Sequence, residues 1–398
     1  MFISRASRPA WYGEDMRLLH VISSLNPVFG GPSASVRMFV AAHQRIGNEV
    51  EVATLDDPAA DFSQIPGSEV HAFGPTMPKY HYEPKLEKWL KENCRRFDGV
   101  IVNGIWQYHT LAARRVVAGS RPYIVFAHGM LDPYFMRRFP LKHLKKLLYW
   151  VTFESKNLER AEAVCFTSQE EMRVAAKGFP FHNRLKRVVV PYGTVGPHGE
   201  SEALKQAFLA VCPEVACKRY LLFLGRLHPK KGCDLVLDAY AKILPRELDL
   251  VMAGPDEASW ESELRARAFR LGIADRVHWT GTLRGDAKWG AFYGAEAFIL
   301  PSHQENFGIA VADALACGTI PLISDKVNIA GEVASDGAAL VDDDTVEGTE
   351  ALIRRFSVLS DAQRAVMRRR ARECYERRYS LQDAAQAVYR ALGISKEI

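Results

Sequence analysis

The sequence predicts an α/β protein built from two doubly wound, Rossmann-like domains, and three observations predict it. Short, continuously apolar runs alternate with helix-patterned segments along nearly the whole chain. Strands of that kind, joined by helical crossovers, belong to parallel sheets buried on both faces. A length of 398 residues exceeds one ordinary core and suggests roughly two domains. The Pro/Gly-rich stretch PYGTVGPHGE (191–200) has a linker's composition and divides the alternation into two series of about six strands.

In the first series, strands are expected at 18–22, 50–55, 99–103, 123–128, 163–168 and 187–191, each ending in turn or polar residues. Helical patterns occupy 33–46 and 139–161, and Gly47 is placed to stop the first of them. The second series has strands at 220–225, 248–254, 276–281, 297–302, 320–324 and 338–341, with helices near 232–244, 258–271, 286–294 and 307–317. Beyond Thr345 the pattern is helical, closing with SLQDAAQAVYRAL (380–392). The expected boundaries are 16–193, 194–379 and a final segment 380–398.

Composition excludes several classes. Hydrophobic content of 48% and charged content of 25% are those of a soluble globular protein. No apolar run reaches the ~18–20 residues that span a bilayer. The opening MFISRASRPAWYGEDMR lacks the apolar core and cleavage pattern of a secretory signal. Seven scattered cysteines without a CxxC pair argue against a disulfide framework or structural zinc, so a reducing, cytoplasmic location is expected. The net charge of +5 suits anionic small molecules, lipid or nucleic acid and selects none of them.

In open parallel sheets, ligands sit beyond the carboxyl ends of the strands, where helix N-termini point at them. Two such domains facing each other would form a cleft, with the chemistry at strand-to-helix junctions. After the first strand, Gly30-Gly31-Pro32 would let the backbone approach a ligand, with Ser33 or Ser35 starting the helix. A plain strand–turn–helix connection fits that segment as well, and no GxGxxG fingerprint is present. His128, at the end of YIVFAH and before Gly129, could polarise a substrate hydroxyl or meet a developing charge, although a lone histidine is more often structural. In FLGRLHPKKG, Arg226 and Lys231 flank a short loop that leads through Gly232 into a helix, a combination that would hold a diphosphate. Arginine supplies a forked donor and lysine a compact charge; the bland reading is two solvated cations. PSHQENFGIAVADALACG sets Glu305 on a turn and Asp313 on the following helix, two acceptors able to grip hydroxyls of one extended ligand. Asn306, Phe307, Gly308 and Ile309 bring backbone amides to the same turn.

Gly30-Gly31-Pro32, HGMLDP, FLGRLHPKKG and PSHQENFGIAVADALACG occur in an order that resembles the retaining nucleotide-sugar glycosyltransferases of family 4, which have the two-domain GT-B fold. The resemblance spans roughly 16–393. It implies transfer of a hexosyl unit from a nucleoside-diphosphate sugar, UDP- or GDP-linked, with retention and without a metal or other cofactor. Glu305 would contact the donor sugar, Arg226 and Lys231 the diphosphate, and His128 would stand near the reacting centre. The amides after Gly30-Gly31 and of Asn306–Ile309 would assist. Domain 16–193 becomes the acceptor side, 194–379 the donor side, and 380–398 a helix crossing back to the first. The family's second acid is Glu; here it is Asp313, one methylene shorter.

Asp342-Asp343-Asp344 is formally a DxD metal motif, but it reads as a turn capping the next helix. YFMRRFPLKHLKKLLYW (134–150) combines Arg137, Arg138, Lys142, Lys145 and Lys146 with Phe139, Leu141, Leu144, Leu148 and Trp150. Either it packs as an ordinary helix with a solvated basic face, or it lies on the anionic inner face of the cell membrane. In the second case the acceptor is a lipid-linked saccharide, as in surface polysaccharide assembly. No stacking platform accompanies the charge, so a nucleic-acid partner is not expected. A nucleotide-binding module without turnover, or a sugar-nucleotide epimerase of the same fold, stays open as an alternative.

Overall fold

The computed structural model describes residues 16–29, 31–77, 79–133, 140–180, 182–244, 248–256 and 259–394. Contacts group the chain up to Gly193 with the segment from Leu381 onward, and Thr194–Ser380 into a second unit.

The first unit has a parallel seven-stranded sheet of β1 (Arg17–Ile22), β2 (Glu49–Thr54), β3 (Glu69–Ala72), β4 (Gly99–Asn103), β5 (Tyr123–Phe126), β6 (Ala163–Phe166) and β7 (Arg187–Val189), in the order β3-β2-β1-β4-β5-β6-β7. Strands β4, β5 and β6 are buried along their whole length, as continuous apolar runs require. β3 is a strand the pattern did not announce. Its sequence EVHA is short, polar and partly exposed, which is how an edge strand reads. His71 on β3 bonds Glu51 on β2 at 2.8 Å, and Arg96 reaches the same carboxylate at 2.7 Å.

The expected helix 139–161 is interrupted. Pro140–Tyr149 is α-helical, Trp150–Glu154 is a π-turn, and Ser155–Glu159 resumes the α-helix. Within the wide turn Trp150 and Glu154 are buried while 151–153 face solvent. The indole of Trp150 donates to the Pro180 carbonyl at 2.8 Å. The closing helix Leu381–Leu392 buries Ala384, Ala385, Val388 and Leu392, one helical face, against this unit. The Tyr389 hydroxyl bonds His43 Nδ1 at 3.0 Å and accepts from the Asn48 amide. A Cβ on Gly99 would lie 2.7 Å from Leu392, so strand and helix touch there without a side chain between them.

The second unit has a parallel six-stranded sheet: β8 (Arg219–Leu224), β9 (Leu248–Ala253), β10 (Val277–Gly281), β11 (Ala297–Leu300), β12 (Ile320–Ser324) and β13 (Leu340–Asp342). The order is β10-β9-β8-β11-β12-β13, so the winding reverses between β8 and β11. That reversal leaves a crevice at the carboxyl ends of the two strands, the place where doubly wound sheets bind ligands.

Candidate functional site

In the second unit the site grows out of β8 and β11. After β8 the chain runs through Gly225 and the exposed Arg226 into a short 3-10 turn, Pro229–Lys231, then the helix Cys233–Ile243. After β11 it runs through Pro301 to Phe307 before the helix Ile309–Ala316. The two loops are laced together. The His303 amide donates to the Lys230 carbonyl at 2.9 Å, Lys230 Nζ donates to Gln304 at 3.3 Å, and Lys231 Nζ pairs with the Glu305 carboxylate. Gly232 has φ +67, and a Cβ there would overlap the Pro301 carbonyl, so glycine is what lets the loops close on each other.

Lys231 and Glu305 are only slightly exposed, at 14% and 18% of their side chains. The backbone of Glu305 is fixed independently: its amide donates to Lys326 and its carbonyl accepts from Asn328, in a bridge to the segment after β12. Glu305 therefore stands on a braced loop five residues beyond β11, farther from the strand than its spacing suggested. Asn306 is half-buried, and Phe307 drops into the core edge-on to Tyr379 at 5.6 Å. Its side chain serves packing, leaving the Asn306–Ile309 backbone at the site. Gly308, with φ +87, caps the helix that Ile309 opens.

Asp313 lies on the helix Ile309–Ala316, as expected, with its side chain turned to protein partners. It is 3% exposed; one oxygen accepts from the Thr194 hydroxyl at 2.6 Å and the other from Lys288 Nζ at 3.0 Å. Thr194 in turn donates its amide to the Tyr379 carbonyl, and its own carbonyl accepts from the Tyr375 hydroxyl at 2.9 Å. Asp313 thus secures the point where the chain enters this unit. Neither Thr194 nor Lys288 carried a motif that would have marked it. The acidic run behaves as a turn: Asp342 pairs with Arg355, Asp344 with His303 and Lys326, and Thr345 caps the helix Val346–Ser357.

In the first unit the winding reverses between β1 and β4. Gly30 and Arg137, Arg138 and Phe139 lie outside the described residues, and Gly31 opens the helix Gly31–Arg45 ahead of both serines. Ser35 instead bonds the Pro32 carbonyl at 2.7 Å. His128 sits two residues past β5, in a turn with φ +48, where it stacks on Phe126 with ring centres 5.5 Å apart. β5 ends early because the chain turns left-handed there. Nδ1 of His128 meets the Tyr192 hydroxyl and Nε2 lies 3.4 Å from Asn103 Oδ1. Burial pushes its imidazolium down to about 3, with nearby His109 adding to the shift, so the ring is neutral.

Comparisons with known proteins bear on the family and the fold. The family model "Glycosyl transferase 4-like domain" matches residues 30–193, and "Glycosyl transferases group 1" matches 213–374. The GDP-mannose:cellobiosyl-diphosphopolyprenol alpha-mannosyltransferase of Xanthomonas campestris is 25% identical over 92% of this chain and 93% of its own. A D-inositol 3-phosphate glycosyltransferase of Saccharomonospora viridis is 31% identical, over 43% of this chain and 42% of its own. Among solved structures, Anabaena HepE in complex with UDP and glucose superposes with a TM-score of 0.71 at 19% identity, covering 95% of this chain and 99% of that one. WaaG, a glycosyltransferase involved in lipopolysaccharide biosynthesis, does so with a TM-score of 0.61 at 17% identity, covering 96% and 100%. Matches of this extent, on two Rossmann-like units, show that the chain belongs to the group 1 glycosyltransferases, sugar-transferring enzymes of the GT-B fold.

Proposed function

We propose that this enzyme moves a hexosyl unit from a nucleoside-diphosphate sugar, UDP- or GDP-linked, to a saccharide hydroxyl with retention at the anomeric carbon. The reading is carried by one observation: Arg226, Lys231 and Glu305 occupy the loops that leave β8 and β11, the two strands flanking the winding reversal. The donor's C1–O bond to the diphosphate breaks and a C1–O bond to the acceptor forms, while the acceptor proton leaves with the diphosphate. Departure of that dianionic group needs positive charge, and Arg226 and Lys231 supply it where a divalent ion otherwise would. Lys231 is held against Glu305 until a donor arrives. The diphosphate then competes for the lysine, and Glu305 is released to accept from sugar hydroxyls. The Asn306–Ile309 backbone is proposed to assist at the donor within the second unit. Asp313 supports it from behind.

The acceptor is proposed to be lipid-linked, as in surface polysaccharide assembly. On the helix and turn from Pro140 to Glu154, Leu144 is 63% exposed and Leu148 69%, and Val151 and Phe153 are exposed beside them. Lys145 is exposed among these apolar groups, while Lys146 folds inward over the Trp106 ring at 4.8 Å. An apolar ridge with a cation beside it suits the headgroup boundary of an anionic membrane better than bulk water. Among the described residues no helix is long and apolar enough to cross a membrane, so contact would be at the surface.

Thermal unfolding with UDP, GDP, ADP and CMP, with and without EDTA, tests the donor site. A nucleotide at 100 times its dissociation constant adds about 2.7 kcal/mol. One nucleoside diphosphate raising the midpoint despite EDTA is expected, and NMR of the product then reads the anomeric configuration. No shift with any nucleotide overturns the reading.

A further inference from the structure

We infer that Asn103 and Tyr192 are positioning residues that hold His128 as its Nε2–H tautomer; the inference rests on the transferase reading and assigns the chemistry of its histidine.

The argument starts at Asn103, the last residue of β4, which is 1% exposed. One end of its amide lies 3.0 Å from the Ile101 carbonyl and 3.1 Å from His20 Nδ1. A carbonyl oxygen only accepts, so that end is the nitrogen and the other is the oxygen. This oxygen faces Nε2 of His128 at 3.4 Å. Were Nε2 the ring's lone-pair nitrogen, two acceptors would face each other in a partly buried place, so Nε2 carries the proton. Nδ1 is then the acceptor and takes the Tyr192 hydroxyl proton in its hydrogen bond, and Ser35 is the other side chain bonded to that hydroxyl. Tyr192 is itself 5% exposed and packs edge-on against Phe39 at 5.9 Å.

The backbone is held as firmly as the ring. The left-handed φ of His128 is an unfavourable conformation for a side-chain-bearing residue. The next amide, Gly129 N–H, is clamped 2.6 Å from the Glu171 carboxylate, whose other oxygen accepts from the Thr167 amide and hydroxyl. Glu171, Tyr192 and Asn103 therefore fix the turn, one ring nitrogen and the other.

The consequence is a one-directional histidine. Nδ1 is closed by Tyr192, while the Nε2–H bond to Asn103 stands beyond the usual N–H···O range and is the weaker of the two. A sugar hydroxyl approaching His128 meets a neutral donor and no base. The geometry thus makes His128 a hydrogen-bond donor to an accepting oxygen of the substrate, with no role in taking the acceptor's proton.

The test is 15N NMR of histidine-labelled protein, with the His128 signals assigned by their loss in His128→Gln. A pyrrole-type Nε2 and a hydrogen-bonded pyridine-type Nδ1 are expected; a protonated Nδ1 overturns the inference. In Tyr192→Phe, which keeps the ring against Phe39, the Nδ1 signal is expected to move to its unbonded position, with kcat falling about tenfold and the donor KM nearly constant. An unmoved Nδ1 signal removes Tyr192 from the role. The wild-type spectrum decides the tautomer even if that variant fails to fold. The spectra need no substrate, so the two failures separate: the stated tautomer without turnover of any nucleotide sugar sinks the transferase reading alone. A protonated Nδ1 with normal turnover sinks this inference alone.

Discussion

The carboxylate of Asp313 accepts a hydrogen bond from the hydroxyl of Thr194, 119 residues earlier in the chain, at 2.6 Å, with Lys288 completing the arrangement. A residue expected to touch a ligand is buried and bonded to two protein groups. Removing it in Asp313→Ala leaves a buried hydroxyl and a mostly buried ammonium without their acceptor, a loss of about 2 kcal/mol. For a unit of this size the midpoint should fall by about 4–8 °C. Combining it with Lys288→Met should restore part of the loss, because the stranded charge is gone. Calorimetry of the three variants checks this, and a donor KM effect with an unchanged midpoint would return Asp313 to the ligand.

Arg226→Ala and Lys231→Ala should each lower turnover at least about tenfold while the unfolding midpoint stays within a degree or two. Glu305→Gln should raise the donor KM as well, since the amide keeps the shape but loses acceptor strength at the sugar. Steady-state rates with the nucleotide sugar chosen by thermal shift provide the measurement. Near-normal rates in both cation variants would remove the diphosphate cradle.

Between pH 7 and pH 5, above the range where the lowered carboxylates Asp249, Glu296, Asp336 and Asp344 of the second unit titrate, acid should weaken the first unit. Burial pushes the imidazoliums of His43 and His128 down to about 3 and that of His109 to about 4, and His20 is lowered as well, against an ordinary value of 6.5. Below pH 6.5 the unfolded chain binds protons that the folded chain refuses, so stability falls as pH drops toward these lowered values. Glu154 runs the other way, raised by burial to about 7 from 4.5, but it is one group against six, since burial also lowers His81 and His182. Urea unfolding followed in the first unit should show a lower midpoint at pH 5 than at pH 7. His43→Gln should flatten that slope, and an unchanged slope would contradict the assignment.

Leu144→Ser with Leu148→Ser should abolish sedimentation with vesicles containing phosphatidylglycerol and leave the midpoint of unfolding unchanged, because both side chains already face solvent. Binding to vesicles that survives the double substitution would place the membrane contact elsewhere.

Much of the fold was legible because its strands are apolar without interruption: VIV within β4 and FIL within β11 read as buried strands from sequence alone. β3 was not, since Glu69 and His71 stand at a sheet edge and break that pattern. Arg226, Lys231 and Glu305 were visible as charged residues at strand-to-helix junctions, and the structure brings Lys231 and Glu305 into contact. The helix carrying Asp313 was legible, but its partners were not. Thr194 is distant in sequence, and Lys288 looks like any surface lysine until the helix Gly285–Gly294 is folded. Tyr192 and Asn103 were invisible for a similar reason: a hydrogen bond to a histidine ring leaves no periodic trace.

The seating of Leu381–Leu392 on the first unit sets an order of events during synthesis. The sheet β1–β7 emerges from the ribosome complete, yet the groove that takes Tyr389 and Leu392 stays unfilled until the whole second unit has been made. At roughly 5–20 residues per second that interval is on the order of ten to forty seconds. Through it His43 and Asn48 lack their tyrosine, and the nascent chain carries an open apolar slot that chaperones can grasp and proteases can probe.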